Sequence, residues 1–316
     1  MKRFLGPVQI LICTVIWGAA FLAQKLGADH YGPFAITCYR NVLGAAFLLF
    51  CIRMRDRRIS SLLPPPSSLP PHSSSLFPLP SSLLLGGAFS GICLFAAMMA
   101  QQLGIEHTTP GISAFLTANY VLFVPLLAWT IGRGFPSVGV WIGVAFALFG
   151  TCLICFADFG SALSEFRLGV GEAWTLLCAA LFAVQIMVVD RFARDVDVLK
   201  FSFVQLAVSA LCAFPFVFLP SELARTSWSH FVSGLPAVLF LGILSSGIAY
   251  TLQNLGQAKT PPALAAIIMS MESVFGALFG WLVLHDVLTP RQLCGCALVF
   301  AAVVVSQLLP FVRRNG

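Results

Sequence analysis

Ten apolar stretches, each of about twenty residues, follow one another along this chain of 316 residues. A helix needs about 20 predominantly apolar residues to cross the hydrocarbon core of a bilayer. Charged residues make up 9% of the chain, against about a quarter in soluble globular proteins. The sequence therefore excludes a soluble domain and predicts an all-α polytopic membrane protein. The predicted transmembrane helices are 7–24, 33–52, 83–103, 110–131, 138–157, 171–189, 198–219, 235–255, 261–284 and 290–309.

The two halves of the chain share a pattern of residues. Matching positions recur at offsets between 152 and 165 residues. The matches are Arg40 with Gln205, Gln101 with Gln253, Gly104 with Gly256, Asn119 with Glu272, and Arg133 with Asp286. Each half contains five predicted spans, and this odd number turns the second half upside down relative to the first. We therefore predict two inverted five-helix repeats, 7–157 and 171–309, an organisation typical of secondary transporters.

The basic residues indicate how the chain is oriented. With the amino terminus inside, 13 of the 18 lysines and arginines fall on cytoplasmic segments. This bias follows the positive-inside rule, which also accounts for the net charge of +6. Met1-Lys-Arg precedes an apolar run without a small-residue cleavage site, so we interpret this run as an uncleaved first span. We expect a multi-pass protein of the cell inner (cytoplasmic) membrane with both termini in the cytoplasm.

Residues 60–82 separate the second and third spans and contain seven prolines and nine serines. This composition favours an extended, poorly ordered linker. We interpret the segment as a cytoplasmic insert that the fold tolerates. The alternative is a docking site for a module that recognises proline-rich peptides.

The chain carries none of the motifs that would indicate catalysis. The sequences Gly-x-Ser-x-Gly, His-Glu-x-x-His and Gly-x-x-x-x-Gly-Lys are all missing from it. Nearly all of the ten cysteines lie within apolar spans, where a free cysteine behaves as a small hydrophobe. Cys152 and Cys155 have the spacing of a redox or metal motif, but no histidine lies near them in sequence. We therefore expect no enzyme, cofactor, metal site, disulfide or nucleic-acid partner.

Two charged residues, Arg40 and Glu272, lie well away from the ends of their predicted spans, where charge is costly and usually functional. Glu272 shares a helix face with Gly276 and Gly280, and we expect it to face protein or a watery cavity. It could carry a proton or contact a cationic group; the alternative is a role in packing alone. Arg40 could bind a substrate carboxylate, act in gating or form an ion pair, or extend toward the headgroups.

Polar and aromatic side chains within the spans complete the predicted substrate pathway. Buried amides need hydrogen-bonding partners, so some of them must contact one another. The predicted pathway residues are Trp17, Gln101, Asn119, Tyr120, Gln185, Tyr250, Gln253, Asn254 and Glu272.

Several short motifs, distributed over both halves, follow one another in a fixed order along the chain. They are Trp17-Gly-x-x-Phe21, Gln102-Leu-Gly104, Tyr120-x-x-x-x-Pro125, Tyr250-x-x-Gln253 and Met271-Glu-Ser-Val-Phe275. In these motifs and their spacing, the chain resembles the ten-helix exporters of the drug/metabolite transporter superfamily that are built from two EamA domains. The resemblance covers nearly the whole chain. Departures from the family pattern are Ser273, where a proline usually follows the glutamate, and Arg133, where an acid usually stands.

The resemblance implies a basket of ten helices that moves a small solute outward, driven by the proton gradient or by the gradient of the solute. We predict a secondary transporter that exports a small organic metabolite, amino-acid-like or a related polar solute, by alternating access. The alternatives are multidrug efflux or metabolite uptake on the same fold, or a membrane scaffold or sensor. The expected partners are the substrate and the lipid bilayer, with protons as a candidate coupling ion. The sequence leaves a monomer and a homodimer open.

Overall fold

The computed structural model describes residues 4–62, 79–107, 110–155, 169–225, 227–285 and 288–312. Within these residues the chain forms ten helical spans, five in each half. Eight of them are long and apolar enough to cross a membrane, and shorter apolar helices cover Phe115–Thr130 and Pro290–Ser306. The first half consists of α1 (Leu5–Ala28), α2 (Pro33–Leu62), α3 (Ser81–His107), α4a (Pro110–Thr117), α4b (Tyr120–Thr130) and α5 (Val138–Cys155).

The second half has the same order of spans. It consists of α6 (Val170–Phe192), α7 (Val198–Ala213) with a 3-10 turn (Phe214–Phe218), α8a (Trp228–Leu239), a π-helix (Phe240–Ala249), α8b (Tyr250–Gln257), α9a (Pro262–Met269), α9b (Met271–Leu284) and α10 (Pro290–Val312). A short helix, Pro220–Arg225, connects the 3-10 turn to α8a.

The structure departs from four of the predicted spans by more than a small shift of their ends. The helix α2 runs ten residues past its predicted end at 52, so residues 60–62 of the predicted linker are helical, and residues 81–82 belong to α3. Arginine favours helix, and four arginines follow the apolar part of α2. Residues 63–78 lie outside the described residues. The spans predicted as 110–131 and 261–284 are each broken in the middle, and the span predicted as 235–255 contains the π-helix.

The two halves pack mainly against each other rather than within themselves. The helix α3 packs on α6 and α7, and in the same way α8 packs on α1 and α2. The contact of α4 with α6 is matched by that of α9 with α1, and three pairs (α2 with α7, α4 with α9, α5 with α10) join equivalent helices. Such an exchange of partners is what an internal two-fold axis produces. The fold is therefore two inverted, interdigitated five-helix repeats.

Glycines allow α5 and α10 to approach closely. A Cβ atom on Gly150 would lie 2.7 Å from the carbonyl oxygen of Gly295, and one on Gly295 would lie 2.6 Å from the carbonyl oxygen of Gly150. Small residues at such crossings let two backbones pack without a driving force from water. This reciprocal contact holds together α5 and α10, one helix from each half.

The span ends define two faces of the bundle. We call the face where α1 begins the amino-terminal face; there a Cβ atom on Gly6 would lie 2.9 Å from the carbonyl oxygen of Gly256, at the end of α8b. On the opposite face, the hydroxyl of Tyr31 donates to the carbonyl oxygen of Phe231, 2.6 Å away. Each face therefore contains contacts between the two halves.

Candidate functional site

Two helix breaks lie at equivalent positions of the repeat. The first separates α4a from α4b around Asn119, and the second separates α9a from α9b at Ser270. The amide of Asn119 donates to the two carbonyl oxygens three and four residues before it, both 3.1 Å away, and the hydroxyl of Ser270 donates 2.7 Å to a carbonyl of the preceding turn. These bonds satisfy backbone groups that a break leaves open inside a membrane. The breaks place Tyr120 and Glu272 just beyond them.

A cavity lies between the halves at the level of these breaks. It encloses about 570 Å³, including the part that opens to the surroundings, which is in the range of small-molecule sites. Every span except α5, α7 and α10 contributes side chains to its lining. The lining residues are Trp17, Ala20, Gln24, Arg40, Met98, Gln101, Thr117, Tyr120, Phe182, Gln185, Ile186, Ser245, Tyr250, Gln253, Met269 and Glu272.

Glu272 and Tyr120 form a contact between the halves across the cavity. The hydroxyl of Tyr120 donates to Oε1 of Glu272, 3.0 Å away. Tyr120 is 4% exposed, whereas Glu272 keeps partial exposure. Among the described residues, no basic side chain lies within 4.0 Å of the Glu272 carboxylate. A carboxylate held by one neutral donor can still take up a proton or a cationic group.

Arg40 is held by hydroxyl groups rather than by an acid. Its Nε donates to Oγ of Ser246 at 3.0 Å, and one terminal nitrogen donates to Oγ of Ser245 at 2.8 Å. The residue is 5% exposed and lines the cavity. Within the described part of the chain, it forms no ion pair. Its charge is therefore oriented by the second half but not neutralised there.

Aromatic rings form one wall of the cavity. The indole N–H of Trp17 donates to the carbonyl oxygen of Ser245 at 3.2 Å, and the ring packs on Tyr250 with centroids 4.9 Å apart and planes tilted by 60°. Phe182 lines the cavity from α6, at the position that matches Trp17 at an offset of 165. The wall thus offers apolar surface to a bound solute from both halves.

The cavity lies nearer to the surface at the opposite face than at the amino-terminal face. Gln24 and Gln101, near the opposite face, are partly exposed, whereas their repeat equivalents Val189 and Gln253 are 0% and 2% exposed. Below the cavity, toward the amino-terminal face, lies a closed cluster of apolar side chains. Its members include Ile10, Val121, Val124, Met187, Ala265 and Ile268. The structure therefore shows a state that is sealed at the amino-terminal face.

A buried aspartate lies beneath this seal. Asp190, near the end of α6, forms ion pairs with Arg133 of the first half and with Arg194, the latter at 2.5 Å. Its side chain has no exposure. The sequence analysis did not single out this residue, because an acid at the end of a span is ordinary and only the fold brings Arg133 to it.

Eight of the ten predicted pathway and gating residues line the cavity, and two do not. Asn119 is used by the helix break, and Asn254 is fully buried, donating to Ser202 at 2.9 Å and to Gln205 at 2.7 Å. A transport role for these two asparagines stays a prediction. The sequence analysis missed eight lining residues, of which Met98 and Phe182 could have been found as the repeat equivalents of Tyr250 and Trp17. The missed residues are Ala20, Gln24, Met98, Thr117, Phe182, Ile186, Ser245 and Met269.

Comparison with known proteins gives matches along the whole chain. The sequence model of the EamA-like transporter family matches residues 4–156 and 169–307. An uncharacterized transporter of Archaeoglobus fulgidus is 24% identical over 98% of this chain and 87% of its own length. The uncharacterized transporter YoaV of Bacillus subtilis is 21% identical over 100% and 99%. A solved crystal structure with 19% sequence identity shares the fold, with a TM-score of 0.74 over 97% of this chain and 98% of that chain.

Proposed function

Because this chain belongs to the EamA-like transporter family and is a membrane transporter rather than an enzyme, we propose that it exports a small organic metabolite, amino-acid-like or a related polar solute. The proposed transport units are the repeats 7–157 and 171–309. The observation that carries this proposal is the cavity between them, which is lined by one base, one acid and an aromatic wall.

The two charged groups suit a solute that carries both signs of charge. Arg40 comes from the first half and Glu272 from the second, and neither is neutralised by another described residue. A carboxylate placed near the guanidinium and an ammonium group near the glutamate would each find a counter-charge. Supplying such partners offsets the cost of bringing a zwitterion out of water. An uncharged or purely cationic solute would leave Arg40 without that partner.

Alternating access follows from the interdigitated repeats. The described state is sealed at the amino-terminal face, and an exchange of conformations between the halves would seal the opposite face instead. The bias of basic residues supports a cytoplasmic amino-terminal face and an inner-membrane location. Fusion of a fluorescent protein or of alkaline phosphatase to the carboxyl terminus tests this orientation. The fusion with the fluorescent protein is expected to fluoresce, and the fusion with the phosphatase is expected to be inactive. The reverse result would overturn the orientation.

Counterflow in proteoliposomes tests the transport activity. Vesicles are loaded with unlabelled solute, and uptake of labelled amino acids, nucleosides and cationic dyes is compared between wild type and Glu272→Gln. We expect amino acids to exchange in both proteins, more weakly in Glu272→Gln because the ammonium group loses its counter-charge, and only the wild type to accumulate them when a proton gradient is imposed. Exchange of dyes alone would replace the proposal with multidrug efflux. Equal accumulation by both proteins would remove Glu272 from the coupling mechanism.

The direction of transport needs a separate measurement. Cells that overproduce the protein are expected to release the exchanged solute faster than cells that overproduce Glu272→Gln, at equal amounts of protein. Faster uptake in place of faster release would identify an importer on the same fold. An unchanged profile of small metabolites inside and outside the cells would count against both directions.

A further inference from the structure

Gln185 and Gln253 contact each other inside the cavity, and each has a second polar atom that this contact does not use. Nε2 of Gln253 donates to Oε1 of Gln185 at 3.3 Å. The remaining atoms, Nε2 of Gln185 and Oε1 of Gln253, have no hydrogen-bonding partner among the described residues. The two side chains are 0% and 2% exposed, and both line the cavity. Buried polar atoms are nearly always hydrogen-bonded, so such a pair facing a cavity indicates a place where a ligand completes the bonding.

The pair offers one donor and one acceptor whichever way the amides are oriented. A single bond between two amides uses one NH2 group and one carbonyl oxygen, and it leaves one of each. If both amides were rotated by 180°, the donor and the acceptor would change places between Gln185 and Gln253, but the set would stay the same. The chemical character of the subsite therefore follows from the contact alone.

Aromatic and aliphatic side chains lie next to the pair along its two helices. Gln185 follows Phe182 by one helical turn on α6, and Gln253 follows Tyr250 by one turn on α8b. Ile186 also lines this part of the cavity. A charged group placed here would receive one neutral hydrogen bond in a setting poor in water, which does not offset its desolvation. The subsite thus favours a neutral group that can both accept and donate a hydrogen bond.

We propose that the Gln185–Gln253 pair determines specificity by binding a hydroxyl or a carboxamide on the transported solute. This proposal rests on the proposed function and narrows its substrate class. Arg40 and Glu272 bind the charged groups of the solute, and the amide pair binds its neutral polar side group. A hydroxyl accepts from Nε2 of Gln185 and donates to Oε1 of Gln253, and a carboxamide does the same with two atoms. An aliphatic group of equal size leaves both amide atoms unpaired.

Matched pairs of labelled solutes test the specificity of the wild-type protein. Threonine and valine differ by a hydroxyl in place of a methyl group, and asparagine and leucine differ by a carboxamide in place of an isopropyl group. A site that hydrogen-bonds a substrate group discriminates strongly against the analogue that lacks it. We expect counterflow to favour the polar member of at least one pair by about tenfold in kcat/KM. The pair that shows the larger ratio identifies hydroxyl or carboxamide as the group that is bound.

Replacing either glutamine by methionine keeps the volume and removes the amide. In Gln185→Met and in Gln253→Met, we expect the ratio for the preferred pair to fall to about twofold or less, with exchange of the aliphatic member retained. Gln9→Met is the matched control, because Gln9 bonds Lys259 at the amino-terminal face, away from the cavity. This control should keep the wild-type ratio.

The outcomes separate this inference from the proposed function. If the wild type exchanges all four amino acids at similar rates, or prefers the aliphatic members, the inference is overturned and the transport proposal stands. If the ratios persist in both methionine variants, the pair does not set specificity. If none of the four amino acids exchanges, the proposed substrate class itself fails. The wild-type ratios require no variant, so a methionine variant that fails to fold leaves the inference open to refutation.

Discussion

Arg133, in the loop that follows α4b, forms an ion pair with the buried carboxylate of Asp190 on α6. The pair joins the first half to the second beneath the apolar seal of the cavity. Asp190 also accepts from Arg194 of its own half at 2.5 Å. One aspartate thus fixes two arginines, which are 34% and 49% exposed. The contact links the two halves at the amino-terminal face.

The variant Asp190→Asn is expected to weaken this link between the halves. It leaves two guanidinium groups without a carboxylate, and because both are partly exposed, we expect a loss of about 1–3 kcal/mol rather than the larger cost of a fully buried pair. A lower Tm, measured by intrinsic tryptophan fluorescence in detergent, checks this. Asp195→Asn is the control, since Asp195 is exposed on the neighbouring loop. A double-mutant cycle with Arg133→Gln should show coupling, and additive losses would contradict a direct contact.

Asp197 is expected to make the stability of the fold depend on pH in the acid range. Burial acts to raise its pKa, but hydrogen bonds from the guanidinium of Arg55, at 2.6 and 3.1 Å, and from the backbone N–H groups of Lys200 and Leu199 outweigh it, so the pKa of Asp197 is lowered. A carboxyl with a lowered pKa stabilises the fold above its unfolded pKa, and this contribution is lost as pH falls through the folded value.

The variant Asp197→Asn tests this, because asparagine still caps the start of α7 but cannot pair with Arg55. We expect the wild type to exceed the variant in Tm at pH 7, by an amount that corresponds to about 0.5–1 kcal/mol. The difference should shrink as the pH is lowered below about 4. A difference that stays constant with pH would show that the ion pair contributes nothing.

Glu222 is expected to have the opposite pH dependence. Its carboxylate is 3% exposed and accepts from the backbone N–H of Ala35 at 2.9 Å, at the start of α2 on the opposite face. Burial raises its pKa, nearby Glu106 adds to the rise, and the N–H groups of α2 and Arg225 oppose it. Because the folded pKa lies above the unfolded one, the fold is most stable below the unfolded pKa and loses stability as pH rises through the folded value.

The variant Glu222→Gln keeps an acceptor for Ala35 and removes the titration. Its Tm should approach or exceed that of the wild type as the pH rises from 4 to 8, and fall below it on the acid side. Glu222→Ala removes the acceptor as well, so it should be less stable at every pH, by about 1–3 kcal/mol. Equal Tm profiles for the wild type and Glu222→Gln would refute the raised pKa.

Hydrophobicity and repetition fix much of this fold at the level of sequence. The length of a span is set by the bilayer, so ten spans could be counted from the apolar stretches along the chain. The offset of 152 residues between Gln101 and Gln253 matches the first helix break to the second, at Ser270, although it did not reveal the breaks. Breaks depend on side chains and neighbouring helices that satisfy the backbone, and an apolar run does not record them.

Contacts between the halves were harder to predict than the lining of the cavity. Arg40 was expected to bind a substrate carboxylate, pair with an acid or extend toward the headgroups. In the structure it contacts Ser245 and Ser246, more than 200 residues away in sequence. Serine inside a span carries no signal of such a role, because it also bonds its own helix. Asp286, the repeat equivalent of Arg133, lies outside the described residues, and the orientation of the termini stays a prediction.

The hydroxyl contacts of Arg40 give a last prediction, on transport. Lysine keeps the charge but cannot reproduce the two directed bonds, from Nε to Ser246 and from a terminal nitrogen to Ser245. In Arg40→Lys, we expect the apparent KM of an exchanged amino acid to rise about tenfold, because a change of this size corresponds to the loss of one charge-assisted hydrogen bond. Ser246→Ala, which removes one anchor and leaves the guanidinium in place, should raise the KM by about two- to fivefold. The amine that lacks only the carboxylate should compete equally well in wild type and Arg40→Lys. If both variants lower Tm but leave KM unchanged, Arg40 is a packing residue and the carboxylate is bound elsewhere.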